Sequence, residues 1–339
     1  MKPHQADFNL LLAVLRKQAP ARPVLFELFM NMPLYERVNG ERLRDDSPLG
    51  IARFTVRAFH KMGYDYATLH ASSFHFAGGF ETKHTRSLNA NAGIRDERSF
   101  EAFAWPDPDA CSTDLLDEIK SDLPQGMRLM VMGPGGVLEN VIELVGYENL
   151  CLMLYDQPEL AGRIFDAVGS RLVRYYELAL QHEAVGLISS NDDWGFNSQT
   201  FLSPPMLRQL IFPWHQKIVD AVHRAGRPVF LHSCGNLATV YDDIIDGCGI
   251  DAKHSFEDVI MPVTEFKQQY GSRVTPLGGL DVDFICRADE EALRRYVRNI
   301  AEVCFADGFW ALGTGNSLTD YMPVHNYLIV LDEGIKITG

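Results

Sequence analysis

Short runs of apolar residues alternate with longer amphipathic segments along most of the chain. Several of the runs are nearly continuous, which is typical of parallel strands buried on both faces. The segments between the runs carry apolar residues at helical spacing. Eight such runs occur, at 22–29, 66–70, 128–133, 185–190, 228–232, 250–254, 274–279 and 309–315. Eight strands alternating with helices predict an α/β fold, a single (β/α)8 TIM barrel, with an open doubly wound sheet as the alternative.

Two of the helical segments have clear ends. One is expected to begin after Ser203, with two prolines in its first turn, where a missing N–H costs nothing, and to continue to Val222. Gly226 is expected to end this segment. The other helix is predicted over 288–306, where the acidic residues of the first turn suit the positive end of the helix dipole.

The chain is predicted to form one barrel domain over residues 1–339. Residues 1–20 are expected to add a helical extension at the N-terminus, because a short apolar run there ends in Arg16 and Lys17 and is typical of an amphipathic helix rather than a signal peptide. Residues 75–125 are polar, rich in Asp and Pro, and without a clear period. We expect them to form a long loop over the barrel mouth.

Composition places limits on the function. Apolar residues make up 46% of the chain and charged residues 22%, which is typical of a soluble enzyme and not of a disordered protein. The net charge of −14 makes nucleic acid and anionic membranes poor partners. We find no apolar run of about 18 residues, so no membrane span is predicted. Six scattered cysteines without a dense framework predict a reduced, cytoplasmic protein.

Polar side chains that could carry chemistry follow the predicted strands. In a (β/α)8 barrel the active site lies at the carboxyl ends of the strands. So many imidazole and carboxylate groups at one face exceed what a purely structural barrel needs. The candidates are Glu27, His70, Asp193, His232, Cys234, His254, Glu257, Asp281 and Asn316.

His232 and Cys234 form the most specific of these patterns. They lie two residues apart at a strand end, and Gly235 allows the chain to bend so that both side chains reach one site. Imidazole and thiolate are ligands that zinc binds in tetrahedral geometry. The other interpretation is a hydrogen-bonded histidine and a free thiol beside a turn.

A zinc site needs a third protein ligand. Glu257, His254 and Asp193 lie at the correct end of the predicted barrel, whereas Cys248 precedes its strand and should lie at the opposite face. Asp192 and Asp193 are adjacent and should point to opposite sides, so only one of them is expected to face the pocket.

Asp281 has two interpretations of its own. It follows a pair of glycines at a strand end, where it can serve as an acid or as the cap of the next helix.

Five motifs near the strand ends together carry a resemblance to a known superfamily. They are Gly133-Pro-Gly-Gly-Val-Leu-Glu-Asn, Ser203-Pro-Pro-Met-Leu-Arg, Leu231-His-Ser-Cys-Gly-Asn, Leu277-Gly-Gly-Leu-Asp and Leu312-Gly-Thr-Gly-Asn-Ser. The set resembles the uroporphyrinogen decarboxylase superfamily from about residue 20 to the end, with His-x-Cys-Gly as its most specific element. The resemblance implies a (β/α)8 barrel with one of two chemistries: decarboxylation of uroporphyrinogen, or zinc-dependent methyl transfer linked to a corrinoid.

The decarboxylase branch of this superfamily carries an arginine-rich signature, Arg-Gln-Ala-Gly-Arg-Tyr, which grips the substrate carboxylates after the first strand. The matching stretch here is Leu28-Phe-Met-Asn-Met-Pro, and no arginine occurs between Arg22 and Arg37. The aspartate that those enzymes place at the end of strand two corresponds to His70 or a neighbour. An octa-acid without bidentate arginines would be held poorly, so the methyltransferase branch is favoured.

The methyltransferases related to methylcobalamin:coenzyme M methyltransferase bind zinc through His-x-Cys and a later cysteine. His232 and Cys234 match the first two ligands, but Thr314 stands where the later cysteine is expected. A hydroxyl is a poor zinc ligand, so we expect Glu257, at the end of the next strand, to complete the site.

These inferences predict a corrinoid-linked, zinc-dependent methyltransferase that acts on a small molecule. The resemblance implies that the corrinoid arrives on a separate protein, and the sequence is compatible with a homodimer. The alternatives are a cofactor-free decarboxylase and a barrel that only binds a ligand. The expected roles are metal binding for His232, Cys234 and Glu257, catalysis for Asp193, His70 and Glu27, and substrate binding for Asn316, Asp281 and His254.

Overall fold

Each of the eight apolar runs contains a strand. A computed structural model describes residues 5–76, 88–89, 93–318 and 320–338. The strands are β1 Val24–Leu25, β2 Tyr66–His70, β3 Arg128–Met132, β4 Val185–Asn191, β5 Val229–His232, β6 Ala252–His254, β7 Thr275–Pro276 and β8 Ala311–Leu312.

Helices connect the strands and surround them. No helix in the described ranges is both long and apolar enough to cross a membrane. The α-helices are α1 Phe8–Leu15, α2 Met32–Asn39, α3 Pro48–Met62, α4 Glu97–Ala102, α5 Leu115–Glu118, α6 Val137–Val145, α7 Tyr147–Asp156, α8 Pro158–Ala179, α9 Pro204–Leu210, α10 Phe212–Arg224, α11 Val263–Tyr270, α12 Val282–Arg287, α13 Glu290–Cys304 and α14 Val324–Thr338. Short 3-10 helices occur at Pro108–Ala110 and Ile119–Asp122, and a π-helix occurs at Asp243–Cys248.

The strands are parallel and follow one another in the circular order of a barrel. β2 to β7 pair in sequence order, and β8 pairs with β1. A bridge between Leu277 and Ala311 connects β7 with β8. Next to β1, the Tyr66 hydroxyl of β2 accepts from the Glu27 N–H and donates to the Glu27 carbonyl, each at 2.7 Å. The fold is therefore the predicted (β/α)8 barrel.

The N-terminal helix α1 covers the amino ends of the strands. The Phe8 N–H donates to the carbonyl of Gly126, shortly before β3 (2.9 Å). The hydroxyl of Thr275, the first residue of β7, donates to the Val14 carbonyl (3.2 Å). This end of the barrel is thus closed by packing, and the carboxyl ends of the strands are left for chemistry.

The segment 75–125 differs from the predicted loop over the mouth. Residues 77–87 and 90–92 lie outside the described part, and the rest contains α4, α5 and both 3-10 helices. The Thr113 hydroxyl meets the ring of His182, just before β4, at the amino end of the barrel (Oγ1–Nε2 2.8 Å). The prediction is wrong for the stretch around Thr113, because the chain must return to the amino end of the barrel before it enters β3.

The helix predicted over 203–222 is two helices, α9 and α10. The break lies at Ile211, whose φ is −116° and ψ −55°. Pro213, in the first turn of α10, has no N–H to donate to the preceding turn, and its ring crowds the carbonyl there. The helix predicted over 288–306 is confirmed by α13, which Asp289 caps.

Two glycines of α8 provide a matched test of packing between the helices. A methyl group at Gly169 would lie 2.2–2.7 Å from ring atoms of Trp214 on α10, whereas one at Gly162 would meet nothing within 4 Å. Alanine favours a helix interior over glycine by about 1 kcal/mol. We expect Gly162→Ala to raise the free energy of unfolding and Gly169→Ala to lower it by about 1–3 kcal/mol through overpacking. Urea denaturation measures both changes, and equal changes would contradict the packing described.

Candidate metal centre

Two neighbouring strand ends meet at one point of the barrel mouth. Asp193 lies just beyond β4, His232 ends β5, and Cys234 follows in the next loop. The Cys234 N–H donates to the Asp193 carboxylate (2.8 Å), which ties the two loops together. The turn requires Gly235, with φ of 93°, because a Cβ there would lie 2.2 Å from the Gly195 carbonyl.

Asp193, His232 and Cys234 form a compact set of ligand atoms, called here the metal set. His232 Nε2 lies 3.7 Å from the Cys234 sulfur and 3.9 Å from Asp193 Oδ1. One nitrogen, one sulfur and one oxygen atom all lie within 4.8 Å of one another. The sequence spacing predicted the proximity of His232 and Cys234 correctly. Zinc takes these three ligand types and keeps a fourth position open in catalytic sites.

Burial controls the charges of the metal set. It lowers the pKa of His232 to about 3 and raises the pKa of Asp193. It also raises the pKa of the Cys234 thiol, which the nearby Asp193 charge raises further. A divalent cation would supply the positive charge that a buried thiolate and carboxylate need. The three side chains therefore fit a metal ion in chemistry as well as in spacing.

Lys253 lies close to the metal set and was missed by sequence reasoning. Its side chain is buried on β6, and its ammonium donates to the carbonyls of Ser233 (3.4 Å) and Ser255. Burial lowers its pKa to about 8, against the opposing charges of Cys234 and Asp193. The signal in the sequence was a lysine beside His254 at the end of the sixth predicted strand.

Glu257, the predicted third ligand, lies outside the compact set of ligand atoms, and Asp193 lies within it. Among the described residues, the group within ligand distance contains Asp193 and not Glu257. The Glu257 carboxylate bonds instead to the backbone of Gly235, and burial followed by the Asp193 charge raises its pKa. The correction has a physical cause: hydrogen bonds to neighbouring loops determine where a loop carboxylate points, and the Cys234 N–H draws in Asp193.

The two adjacent aspartates after β4 have different roles. Asp192 is fully buried, and its carboxylate accepts from the N–H groups of Leu138 and Glu139 at the start of α6 (3.0 Å each). His215 Nε2 lies 3.0 Å from the same carboxylate. Asp192 thus occupies the positive end of α6, and Asp193 alone joins the metal set, as expected from adjacent residues pointing opposite ways.

Glu139 was not among the predicted site residues, yet it interacts electrostatically with the metal set. Its carboxyl accepts from the Gly136 N–H (2.8 Å) and the Asn191 amide (3.4 Å). Burial, followed by the charges of Asp193 and Asp192, raises its pKa well above the usual range. The signal in the sequence was its place in the glycine-rich motif after β3.

His254 was predicted to bind substrate, but the protein encloses it. Its side chain is 0% exposed. Its Nε2 lies 3.1 Å from the Thr314 carbonyl oxygen, and its Nδ1 lies 2.8 Å from His232 Nδ1. The prediction is wrong because both ring nitrogens are used inside the protein, and neither is left for a substrate.

Asp281 has a structural role, and it also lines the cleft beside Glu257 and Asn316, so substrate binding stays a prediction for this residue. One carboxylate oxygen accepts from the Phe284 N–H (2.8 Å) and caps α12, and the other accepts from the Asp258 N–H (3.1 Å). Of its two interpretations, the helix cap is correct. Asn316, by contrast, does reach the site, because its amide nitrogen lies 3.3 Å from the Cys234 sulfur.

Glu27 and Thr314 form a buried pair between the ends of β1 and β8. Both are 0% exposed. The Glu27 carboxyl accepts from the Thr314 N–H (3.3 Å) and the Tyr327 hydroxyl (3.2 Å), and it also contacts the Thr314 hydroxyl. Enclosed in this way, Glu27 cannot contact substrate as predicted. The Thr314 hydroxyl contacts Glu27 and does not belong to the metal set.

His70, the remaining predicted catalytic residue, lies apart from the metal set. It ends β2 and pairs with Met132 of β3 in the ladder. Burial lowers its pKa to about 4. The strand order puts β3 and β4 between His70 and His232, so the structure does not bring these two histidines together.

Glu27→Gln tests the buried carboxyl. Burial raises the Glu27 pKa from its ordinary 4.5 to about 8. The unfolded chain therefore releases this proton first, and the contribution of Glu27 to wild-type stability falls as pH rises between those values, by up to about 1.4 kcal/mol per pH unit. Glutamine cannot titrate, so we expect the variant to gain stability relative to wild type as pH rises across this window. Urea denaturation at several pH values measures the difference, and a constant difference would contradict the raised pKa.

Two solved structures resemble this chain to different degrees. A methyltransferase from Methanosarcina mazei matches with a TM-score of 0.69 and 14% sequence identity, over 97% of this chain and 98% of that chain. A putative vitamin-B12 independent methionine synthase from Listeria monocytogenes matches with a TM-score of 0.48 and 10% identity, over 94% of this chain and 99% of that chain. No curated protein sequence matches the chain. At its level of identity, the first match supports the barrel fold alone.

The family follows from the sequence rather than from structural likeness. The profile of the uroporphyrinogen decarboxylase (URO-D) family matches residues 92–333. This stretch is well over half of the chain, and it includes strands β3 to β8 and the whole metal set. The chain therefore belongs to the uroporphyrinogen decarboxylase (URO-D) family.

Proposed function

We propose that the protein is a zinc-dependent methyltransferase whose metal is held by Asp193, His232 and Cys234. The observation that carries the proposal is the set of three different ligand atoms within 4.8 Å of one another at the carboxyl end of the barrel. Two further facts support it: the His-x-Cys-Gly element resembles that of zinc methyltransferases in the superfamily, and the Methanosarcina mazei methyltransferase has the same fold.

The donor set suits substrate activation. A zinc ion bound there would act as a Lewis acid that lowers the pKa of the substrate's nucleophilic group, so that this group can exchange a methyl. Three protein ligands leave one tetrahedral position for that group. A carboxylate in place of the family's second thiolate makes the set harder. Oxygen and nitrogen nucleophiles are therefore candidate substrates as well as thiols.

The protein's own residues prepare the site. Asn316 approaches the Cys234 sulfur with its amide (3.3 Å), and Asp193 accepts the Cys234 N–H (2.8 Å), so the loops after β4 and β8 hold the thiol in place. The Lys253 ammonium offsets part of the negative charge of Cys234 and Asp193. A cleft of about 970 Å³ lined by Asn316 and Glu257 offers a small-molecule substrate access to this end of the barrel.

We further propose that the methyl group is carried by a corrinoid on a separate protein. The resemblance to corrinoid-linked members of the superfamily supports this partner. The approach must come from the carboxyl ends of the strands, because α1 covers the amino ends.

Two cysteine variants test the metal set. Cys248 is buried in the π-helix before β6, does not belong to the metal set, and serves as the control for Cys234. We expect wild type and Cys248→Ser to bind about one zinc ion per chain. Cys234→Ser should bind zinc more than about 100-fold more weakly, since changes outside the ligand shell alone cost 10–100-fold. Elemental analysis of protein without a histidine tag and titration against a zinc indicator measure this.

The same proteins test methyl transfer. With methylcobalamin as the donor and small thiols, alcohols and amines as acceptors, the absorbance of the cobalamin reports loss of its methyl group. We expect wild type and Cys248→Ser to be equally active and Cys234→Ser to be inactive. Zinc loss or inactivity confined to Cys248→Ser would refute the assignment of the metal set.

Uroporphyrinogen is expected to be a poor substrate. The groups at the mouth include the carboxyls of Glu139, Asp193 and Glu257, whereas an octa-acid requires cations. Each charge-assisted hydrogen bond to a carboxylate contributes about 1.5–3 kcal/mol, and 1.4 kcal/mol is about tenfold in affinity. An anaerobic assay with reduced uroporphyrinogen should show little coproporphyrinogen. Turnover comparable with that of an authentic decarboxylase would replace the proposed function by decarboxylation.

A further inference from the structure

His232 and His254 face each other across two neighbouring strands. They are Cα partners in the β5–β6 ladder, and their Nδ1 atoms lie 2.8 Å apart. The contact is separate from metal binding itself, because the metal set uses the other nitrogen of His232, Nε2. A direct bond between two ring nitrogens requires that one carries a proton and the other does not.

The Thr314 carbonyl determines which ring donates. A carbonyl oxygen only accepts, so its 3.1 Å contact with His254 Nε2 places a proton on that nitrogen. A second proton, on His254 Nδ1, would put a positive charge on a ring that is 0% exposed, and an enclosed charge is costly. His254 Nδ1 is therefore the acceptor, and His232 Nδ1 donates its proton to it.

This arrangement leaves His232 Nε2 with a free lone pair directed at the metal set. A neutral histidine has two tautomers, and only the one with a bare Nε2 can bind a metal through that atom. We propose that His254 is a positioning residue that, with the Thr314 carbonyl, holds His232 in its metal-binding tautomer before any metal arrives. The hydrogen-bonded series from His232 through His254 to the Thr314 carbonyl is called here the relay. The inference rests on the proposed metal centre and adds that the ligand is organised in the apo protein.

The surroundings hold the acceptor end of this relay in place. The Phe26 ring lies against the His254 ring with centroids 5.2 Å apart. Gly278, with φ of 64°, passes so close that a Cβ would lie 3.2 Å from His254 Nε2 and 2.1 Å from the Thr314 carbonyl oxygen. Glu27 holds the Thr314 N–H and hydroxyl from another side. The carbonyl and ring therefore have little freedom to separate.

Three substitutions distinguish a relay from a histidine that only fills the core. His254→Phe keeps a ring of similar size and removes both nitrogens. His254→Asn keeps an acceptor oxygen near the former Nδ1 and leaves the proton on His232 Nδ1. His182→Phe is the matched control, because His182 is also buried but contacts the Thr113 hydroxyl at the amino end of the barrel (2.8 Å).

Nitrogen-15 NMR of apo protein labelled at histidine reports the tautomer, because protonated and bare ring nitrogens differ in chemical shift. His232→Gln identifies the His232 signals. We expect wild-type His232 to carry its proton on Nδ1 and His254→Phe to shift it toward Nε2. Zinc titration against an indicator should show about 10–100-fold weaker binding for His254→Phe, the range of outer-shell effects. His254→Asn and His182→Phe should keep the wild-type tautomer and affinity.

The tautomer and the zinc affinity separate this inference from the proposed function. A wild-type His232 with its proton on Nε2 would overturn the relay whether or not zinc binds, and this result stands even if His254→Phe does not fold. Equal zinc affinity of folded His254→Phe and wild type would also overturn it. A wild-type protein with the expected tautomer that binds no zinc would refute the proposed function and leave the relay supported.

Discussion

The hydrogen bond from the Cys234 N–H to the Asp193 carboxylate is the contact on which the candidate metal centre depends. Parallel strands bring their carboxyl ends to one face of the barrel, but this alone leaves loop side chains several ångströms apart. The bond joins the loops after β4 and β5 and places a carboxylate oxygen beside the His-x-Cys pair. Gly235 makes the approach possible, because a side chain there would collide with Gly195.

The neighbouring aspartate makes that geometry rigid. Asp192 satisfies two N–H groups at the start of α6, which a helix end would otherwise leave without partners. Because Asp192 is anchored to α6, the backbone that carries Asp193 cannot shift without breaking buried hydrogen bonds. Of the two adjacent aspartates, Asp192 therefore stabilises the start of α6, and Asp193 belongs to the metal set.

Thr314 links the end of β8 to the residues behind the metal set. Its hydroxyl contacts Glu27, and its carbonyl oxygen accepts from His254, which in turn contacts His232 of the metal set. Thr314 therefore reaches the metal set through other residues and is not one of its members. Asp193 places a carboxylate oxygen 3.9 Å from His232 Nε2, beside the His232–Cys234 pair. Burying a polar group costs free energy unless the group has a hydrogen-bond partner. This cost explains why Glu27, His254 and Thr314 bond to one another inside the barrel.

The sequence by itself determined the elements and their order. Continuous apolar runs are local features, so all eight strands could be predicted, and the His232–Cys234 spacing sufficed to predict that the two side chains meet. Only the tertiary structure determined which of the carboxylates and histidines at the strand ends belong to the metal set. Glu257, Asp281 and His254 have the same chemistry as Asp193 and His232, but their roles depend on bonds to residues far away in the chain. The spacing of apolar residues along a strand or helix indicates on which face of that element a side chain lies. The direction of a side chain in a loop depends instead on contacts with other loops, which are far away in the sequence.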